Sequence, residues 1–301
     1  MPDIELIPVS PWLGAEAKCG DVRQLDAPGR EVLRRALTEH LVLVVRGQTL
    51  DDADLIEFGR TFGELDVAPL AYTDNQKPRD HPEVIVISNV VEGGVPIGVL
   101  GDAEVIWHSD NSYRETPLAA SALHSIELPP DGGETGFANM YLALETLPSQ
   151  LRARIERRTL KHDATYNSAG QLRKGYQPVT DVRTAPGPSH PIVRTHPVSG
   201  CDALYLGRRP NAYIDGMDVD ESEALIDALW AHATRVARTW HHSWRVGDIL
   251  IWDNRCVMHH RNPFDPASRR VMHRVQCKGE RPFHAAAAGG GRHPRTAATS
   301  T

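Results

Sequence analysis

The chain has 301 residues, a net charge of −6 and a pI near 6.2. That is long enough for one large core and not basic enough for a nucleic-acid-binding surface. No apolar run reaches the roughly eighteen residues of a membrane span, and the first residues lack the basic and apolar regions of a secretory signal. Cys19, Cys201, Cys256 and Cys277 show neither paired metal spacing nor a disulfide framework. They read as free thiols, and a cytoplasmic protein is expected.

Val32, Leu33 and Leu37 are spaced for a helix over residues 28–40, followed by a short apolar strand over 41–45. Asp51 and Asp52 mark the positive end of a second helix reaching Phe62. Residues 84–89 alternate little and read as a buried strand, whereas 66–83 and 91–104 are rich in Gly, Pro and Asp. Residues 166–190 are similarly interrupted by Gly and Pro, and the three segments are expected to be lids or plain surface insertions. Asp220, Glu221 and Glu223 open a helix over 219–238 that Arg235 and Arg238 close. Residues 249–252 and 271–277 are the clearest strands. Trp230, Trp240, Trp244 and Trp252 predict core packing, and the adjacent His241 and His242 predict surface positions. After Phe283 the composition turns to Ala, Gly, Ser and Thr, so residues 1–283 are expected to form one domain with 284–301 as a disordered tail. Helices before and among scattered strands fit an α+β chain with a mainly β core, a jelly roll with flanking helices.

Trp107-His108-Ser109-Asp110 carries the chemistry, together with Trp252-Asp253-Asn254-Arg255 and His259. Two imidazoles and one carboxylate are the ligand set of the facial triad that holds non-haem Fe(II) with coordination positions open. Residues i and i+2 of a strand share a face, so His108 and Asp110 would address one ion while Ser109 turns away. A lone His-x-Asp among fifteen histidines is weak evidence; the downstream block is what makes it strong. Thiolates are absent from the set, which disfavours structural zinc.

The Trp107–Asp110 motif, Gly132-Gly133-Glu134-Thr135, the His190–Pro197 segment and the block from Trp252 to Arg274 follow one another as they do in a known family. The chain resembles the taurine and 2,4-dichlorophenoxyacetate dioxygenases, Fe(II)- and 2-oxoglutarate-dependent oxygenases, over about residues 30–283. That resemblance implies a double-stranded β-helix, with His108, Asp110 and His259 as iron ligands and O2 as the oxidant. His260 is adjacent and chemically able, but its distance from the Trp-Asp-Asn-Arg block is less favourable. The resemblance makes Arg270, eleven positions beyond His259, the partner of the distal carboxylate of 2-oxoglutarate. A planar guanidinium fork suits that role. Thr135 would supply a hydroxyl to the same carboxylate. Arg274 matches the arginine that holds the sulfonate in the taurine enzyme and would share a strand face with Arg270 and Met272. The other reading of Arg274 is a surface or interface arginine paired with an acid.

Phe62-Gly63-Glu64-Leu65 is the family's turn, but Ala68 and Ala71 stand where the taurine enzyme has a histidine and a tyrosine, and Glu104 replaces its asparagine. Taurine is therefore not expected. A larger or more apolar small-molecule carboxylate or sulfonate is, phenoxyalkanoates among them. Hydroxylation with release of succinate and CO2 is the expected outcome, followed by bond cleavage where the product collapses. Desaturation and ring formation stay open, whereas the carboxylate ligand argues against halogenation. Two other functions compete: a metal-dependent hydrolase with an activated water, and a silent anion-binding protein on the same scaffold. The resemblance also implies a homo-oligomer, although no interface is legible.

Overall fold

Central strands that are apolar at every position, and not at every second one, need cover on both faces. Residues 42–45 and 249–252 are of this kind, and the computed structural model, which describes residues 4–67, 80–102 and 104–285, shows what covers them. An eight-stranded sheet contains β1 (Glu5–Pro8), β2 (Ala15–Lys18), β3 (Val42–Val45), β4 (Ile85–Ser88) and β5 (Val99–Leu100). A four-stranded sheet begins with β6 (Val105–His108); β7 (Leu118–Glu127) returns to the large sheet and β8 (Thr135–Asn139) to the small one. β9 (Thr239–His242) and β11 (Val257–Arg261) complete the small sheet, in the order β9-β8-β11-β6. β10 (Ile249–Asp253) and β12 (Val271–Lys278) complete the large one, in the order β1-β2-β3-β10-β7-β12-β4-β5.

Val42, Val44, Leu250 and Trp252 face Phe137, Ala138 and Val257 of the small sheet, forming the inner core. Leu43, Val45, Ile249 and Ile251 face outward under helices α1 (Ala27–His40) and α2 (Asp52–Gly59), against Leu33, Leu37, Leu55 and Phe58. Truncating any one of these leucines to alanine costs about 2–5 kcal/mol. Two packed sheets with helices outside make the expected double-stranded β-helix, with its cavity between the sheets.

Helix α1 starts where Asp26 accepts from the Gly29 N–H at 2.8 Å. Asp51 and Asp54 form a reciprocal capping box on α2, which stops at Gly59, short of Phe62. The short helices α3 (Met140–Glu145) and α4 (Ser149–Ile155) and the longer α5 (Val219–Ala233) cover the small sheet's side. Helix α5 is shorter than expected. The Thr234 hydroxyl donates to the Trp230 carbonyl at its end, and Val236–Arg238 form a separate 3-10 turn, so Arg235 and Arg238 do not close the helix.

The 91–104 segment is not all loop. It holds a small hairpin, Val91–Glu92 with Val95–Pro96, before β5. Ala68 and Ala71 lie outside the described residues. So does most of the expected tail, although Thr195 binds the Phe283 carbonyl and the Ala285 N–H. All four cysteines are free. Among the described residues no helix is long and apolar enough to cross a membrane.

Candidate active site

His108 ends β6, and Asp110 lies in the turn after it, so strand alternation is not what aligns the pair. Antiparallel pairing of β11 with β6 sets His259 directly opposite His108. The His108 and His259 Nε2 atoms lie 3.5 and 3.9 Å from Asp110 Oδ1. One donor atom from each of the three residues falls within 4.8 Å of the others. Donors about 2 Å from one ion and at right angles are about 3 Å apart, so little movement would close the set around a metal.

The protonation states suit a metal. His108 Nδ1 donates to the Ile106 carbonyl at 2.8 Å, which leaves Nε2 as the lone-pair atom. Burial, followed by neighbouring His108, pushes the His259 pKa well below the usual histidine range, so the ring stays neutral. Burial alone would raise the Asp110 pKa, but Arg274, His259 and His108 together hold it well below the usual carboxylate range. A carboxylate and two imidazoles therefore converge.

Asp110 is gripped from every side. Its N–H donates to Asn254 Oδ1 at 2.7 Å, and Asn254 Nδ2 donates back to its carbonyl at 2.8 Å. The Ser121 hydroxyl and Gln276 Nε2 donate to Oδ2 at 2.9 and 3.2 Å. Oδ1 is left facing the imidazoles, with Arg274 Nη1 3.4 Å away. Arg274 is thus mostly buried, and the acid it meets is Asp110 itself. Trp252 and Phe137 wall His259, with ring centroids 4.7 and 6.2 Å away. His260 points to the other face, against Trp107 at 4.1 Å and His241 Nε2 at 2.8 Å, so it is not part of the cluster.

Arg270 lies one residue before β12, whose pairing with β4 runs regularly from Val271 to Arg274 while the neighbouring β7 bulges opposite Val271 and Met272. Met272 enters the core, while Arg274 and Gln276 share the face that meets Asp110. Arg270 is only 2% exposed, its Nε has no hydrogen-bond partner, and no acid pairs with it among the described residues. Burial, then Arg261, pushes its pKa down to about 9, which leaves it charged at neutral pH. A buried cation without a counter-charge is costly unless an anion arrives. Gly133, with φ +72°, lets the backbone lie against this side chain, since a Cβ there would sit 3.3 Å from Arg270 Nε. Two residues on, buried Thr135 accepts from Trp244 Nε1 at 3.0 Å, and its own proton remains to donate. Thr135 pairs with Arg261 on β11, one same-face step from His259. The donor set fits Fe(II), and the Arg270 pocket fits the far carboxylate of 2-oxoglutarate.

His196, Asp253 and Cys256 form a second buried cluster of metal-like spacing. Its donors are occupied. His196 Nδ1 accepts from the Val198 and Ser199 N–H groups, and Nε2 donates to Asp253 Oδ2 at 3.0 Å. Arg255 clamps both Asp253 oxygens at 2.9 and 2.6 Å. The cluster is a structural knot. His242, expected at the surface, is instead buried and bonded to Asp248 at 2.9 Å, because β9 packs into the small sheet; His241 is exposed.

Gln276, Ser121 and Asn254 had no role in the sequence reading. Asn254 lies within the Trp-Asp-Asn-Arg motif and Gln276 alternates with Arg274, so each had a local signal; Ser121 had none. Glu104, where the taurine enzyme has asparagine, is exposed.

Residues 5–276 match the family described as "Taurine catabolism dioxygenase TauD, TfdA family". The chain is 34% identical to the alpha-ketoglutarate-dependent 2,4-dichlorophenoxyacetate dioxygenase of Burkholderia sp. (strain RASC), over 81% of this chain and 84% of that protein. It is 33% identical to pentalenolactone F synthase of Streptomyces arenae, over 83% and 87%. The crystal structure of a taurine dioxygenase from Burkholderia xenovorans superposes with a TM-score of 0.74 at 31% identity, covering 94% of both chains.

Proposed function

We propose, on the premise that the chain belongs to the TauD/TfdA family and is an Fe(II)- and 2-oxoglutarate-(alpha-ketoglutarate-)dependent dioxygenase, that it hydroxylates an organic carboxylate or sulfonate larger than taurine. In this reading His108, Asp110 and His259 hold the iron, Arg270 and Thr135 bind the far carboxylate of 2-oxoglutarate, and Arg274 binds the substrate's acid group. One C–H bond, one O2 and one 2-oxoglutarate become one alcohol, one succinate and one CO2. Cleavage follows where the alcohol collapses.

Iron(II) bound at the triad supplies the redox chemistry that couples O2 reduction to loss of CO2 from 2-oxoglutarate. The chain's residues do the rest. Ser121 and Gln276 hold Oδ2 of Asp110 and so aim Oδ1. Trp252 and Phe137 keep the His259 side dry. Arg270 and Thr135 fix 2-oxoglutarate at one end, so its keto acid end is presented in one orientation. Arg274, beside Asp110, fixes the substrate acid next to the reacting centre. Residues 1–283 form the catalytic unit in this proposal. The names of several relatives favour a phenoxyalkanoate over an aminosulfonate, in line with Ala68 and Ala71.

The observation that carries the reading is a converging, uncommitted His–Asp–His set next to an unpaired buried arginine. Anaerobic addition of Fe(II) and 2-oxoglutarate should give the weak visible charge-transfer band of the chelate, lost in His108→Ala. A folded, metal-loaded protein without the band would overturn the assignment of residues. Substrate-dependent succinate release across carboxylates and sulfonates then identifies the class. Arg274→Ala should raise the KM for substrate far more than that for 2-oxoglutarate; equal effects would remove Arg274 from the substrate site.

A further inference from the structure

A cavity of about 790 Å³ is lined among others by Ser88, Leu100, Tyr113, Arg114, Arg173 and Tyr176. That is the volume of a drug-sized ligand, well beyond a two-carbon sulfonate. Two links run from its wall toward the site. Tyr113 belongs to the turn that follows Asp110, and the Leu100 carbonyl accepts from Arg261, the neighbour of Arg270.

Among the described residues no acid lines this cavity, while Arg114, Arg173 and Lys174 do. Arg114 is offset by Asp66 at 2.6 Å. Arg173 has no such partner among the described residues. Its guanidinium lies over the Tyr113 ring, 3.6 Å from the centroid, and its Nε and Nη2 are buried without a hydrogen-bond partner. Cation–π attraction holds the charge in place, but it satisfies none of the N–H donors, and buried unpaired donors are costly. The Tyr113 hydroxyl donates to Asn111 Oδ1 at 2.9 Å, so the ring beneath is fixed by the turn that carries Asp110.

The loop that brings Arg173 is built to stay. Asn167 Oδ1 accepts from the Ala169 and Gln171 N–H groups, Arg173 N–H donates to the Thr165 carbonyl at 2.9 Å, and Ile106 of β6 donates to the Ser168 carbonyl. Apolar surface from Val99, Leu100 and Leu172 lies around the same cavity.

We infer that Arg173, stacked on Tyr113, is a second anion subsite, so that the preferred substrate carries an acid at each end of an apolar or aromatic body. One acid lies at Arg274 and the other at Arg173. The inference rests on the proposed substrate role of Arg274, and it adds a specificity-determining residue on the 166–190 segment.

The test compares phenoxyacetate, 4-carbamoylphenoxyacetate, 4-carboxyphenoxyacetate and 4-sulfophenoxyacetate. Each Kd is measured by anaerobic calorimetry on the Fe(II)- and 2-oxoglutarate-loaded protein, for the native chain and Arg173→Gln. The native protein should bind at least one dianion tenfold or more tightly than the carbamoyl compound. Arg173→Gln should reduce that ratio to about one, with melting temperature and 2-oxoglutarate affinity unchanged. A native protein that does not favour either dianion, including one that binds none of the four, overturns the inference, as does an unchanged ratio in the variant. The charge-transfer band of the same samples reports separately on the iron and 2-oxoglutarate assignment. In Arg274→Ala, undiminished binding of phenoxyacetate would tell against Arg274 at the near end, and loss of the dianion preference with phenoxyacetate still bound would give the second acid to Arg274 and overturn the inference.

Discussion

Two buried clusters in this chain share a histidine and an aspartate at metal-like spacing and have opposite fates. His196, Asp253 and Cys256 lie as close together as His108, Asp110 and His259. In the first, both nitrogens of the imidazole and both oxygens of the carboxylate are committed to hydrogen bonds, two of them from Arg255. In the second, one carboxylate oxygen is anchored by Ser121 and Gln276, and the other is turned toward two imidazoles. Residue type and spacing do not separate a knot from a metal site. What separates them is which lone pairs have been spent.

The sharpest way to break this comparison is to delete the carboxylate from each. Asp110→Ala should abolish iron-dependent turnover and iron stoichiometry while the protein stays folded. Asp253→Ala should cost about 3–5 kcal/mol of stability, because Arg255 and His196 lose a buried partner, yet its folded fraction should still bind iron. Metal analysis beside denaturant titration reads both, and loss of iron in Asp253→Ala without loss of fold would make the two clusters alike.

Arg270 extends the contrast to cations, since Arg255 has its carboxylate and Arg270 has none among the described residues. Arg270→Met should weaken 2-oxoglutarate binding by about 2–5 kcal/mol, the cost of stranding a carboxylate in a buried site. In the ligand-free protein the same change should stabilise by about 1–4 kcal/mol, because an uncompensated charge is replaced by an apolar chain. Destabilisation of the ligand-free protein would mean that Arg270 has a structural partner.

Gln276→Leu is a finer probe. It removes one of two donors to Asp110 Oδ2 and should weaken iron about 10- to 100-fold without touching Asp253. An unchanged iron Kd would show that Ser121 suffices.

The smallest effect is a pH slope. His162 is buried with neither ring nitrogen bonded, and burial, then His190, Arg208 and Arg194, hold its pKa well below the usual value. An unfolded histidine titrates near ~6.5, so below that pH the unfolded chain takes a proton that the folded one refuses. The stability present above ~6.5 is therefore lost progressively as pH falls. His162→Phe should flatten ligand-free stability between about pH 7 and 5 relative to the native chain. An equal slope would assign it to His242, His259 and the other depressed histidines.

Much of the site was legible because its chemistry is written in residue types at short spacing. His108 and Asp110 are two apart, Arg270 and Arg274 four apart, and each pair is brought together by a few residues of strand or turn. Even there the reason for the first pair differed from the expected one, since Asp110 is aligned by a turn and by Asn254. The start of α2 was readable from Asp51, whose side chain caps it, whereas the caps Asp26 on α1 and Asp218 on α5 were not singled out. The end of α5 was less so, because Thr234 competes locally with Arg235 and Arg238.

By itself the sequence determined the ligand types, their order along the chain, the family and the β-rich class, all properties of short separations and composition. The tertiary structure alone decided which face His260 takes, that His242 is buried, that Ser121 and Gln276 hold Asp110, and that Arg173 stacks on Tyr113. These are contacts between segments joined by long connections. A sequence records that a donor exists, while only the packed chain settles whether its lone pair or proton is already taken.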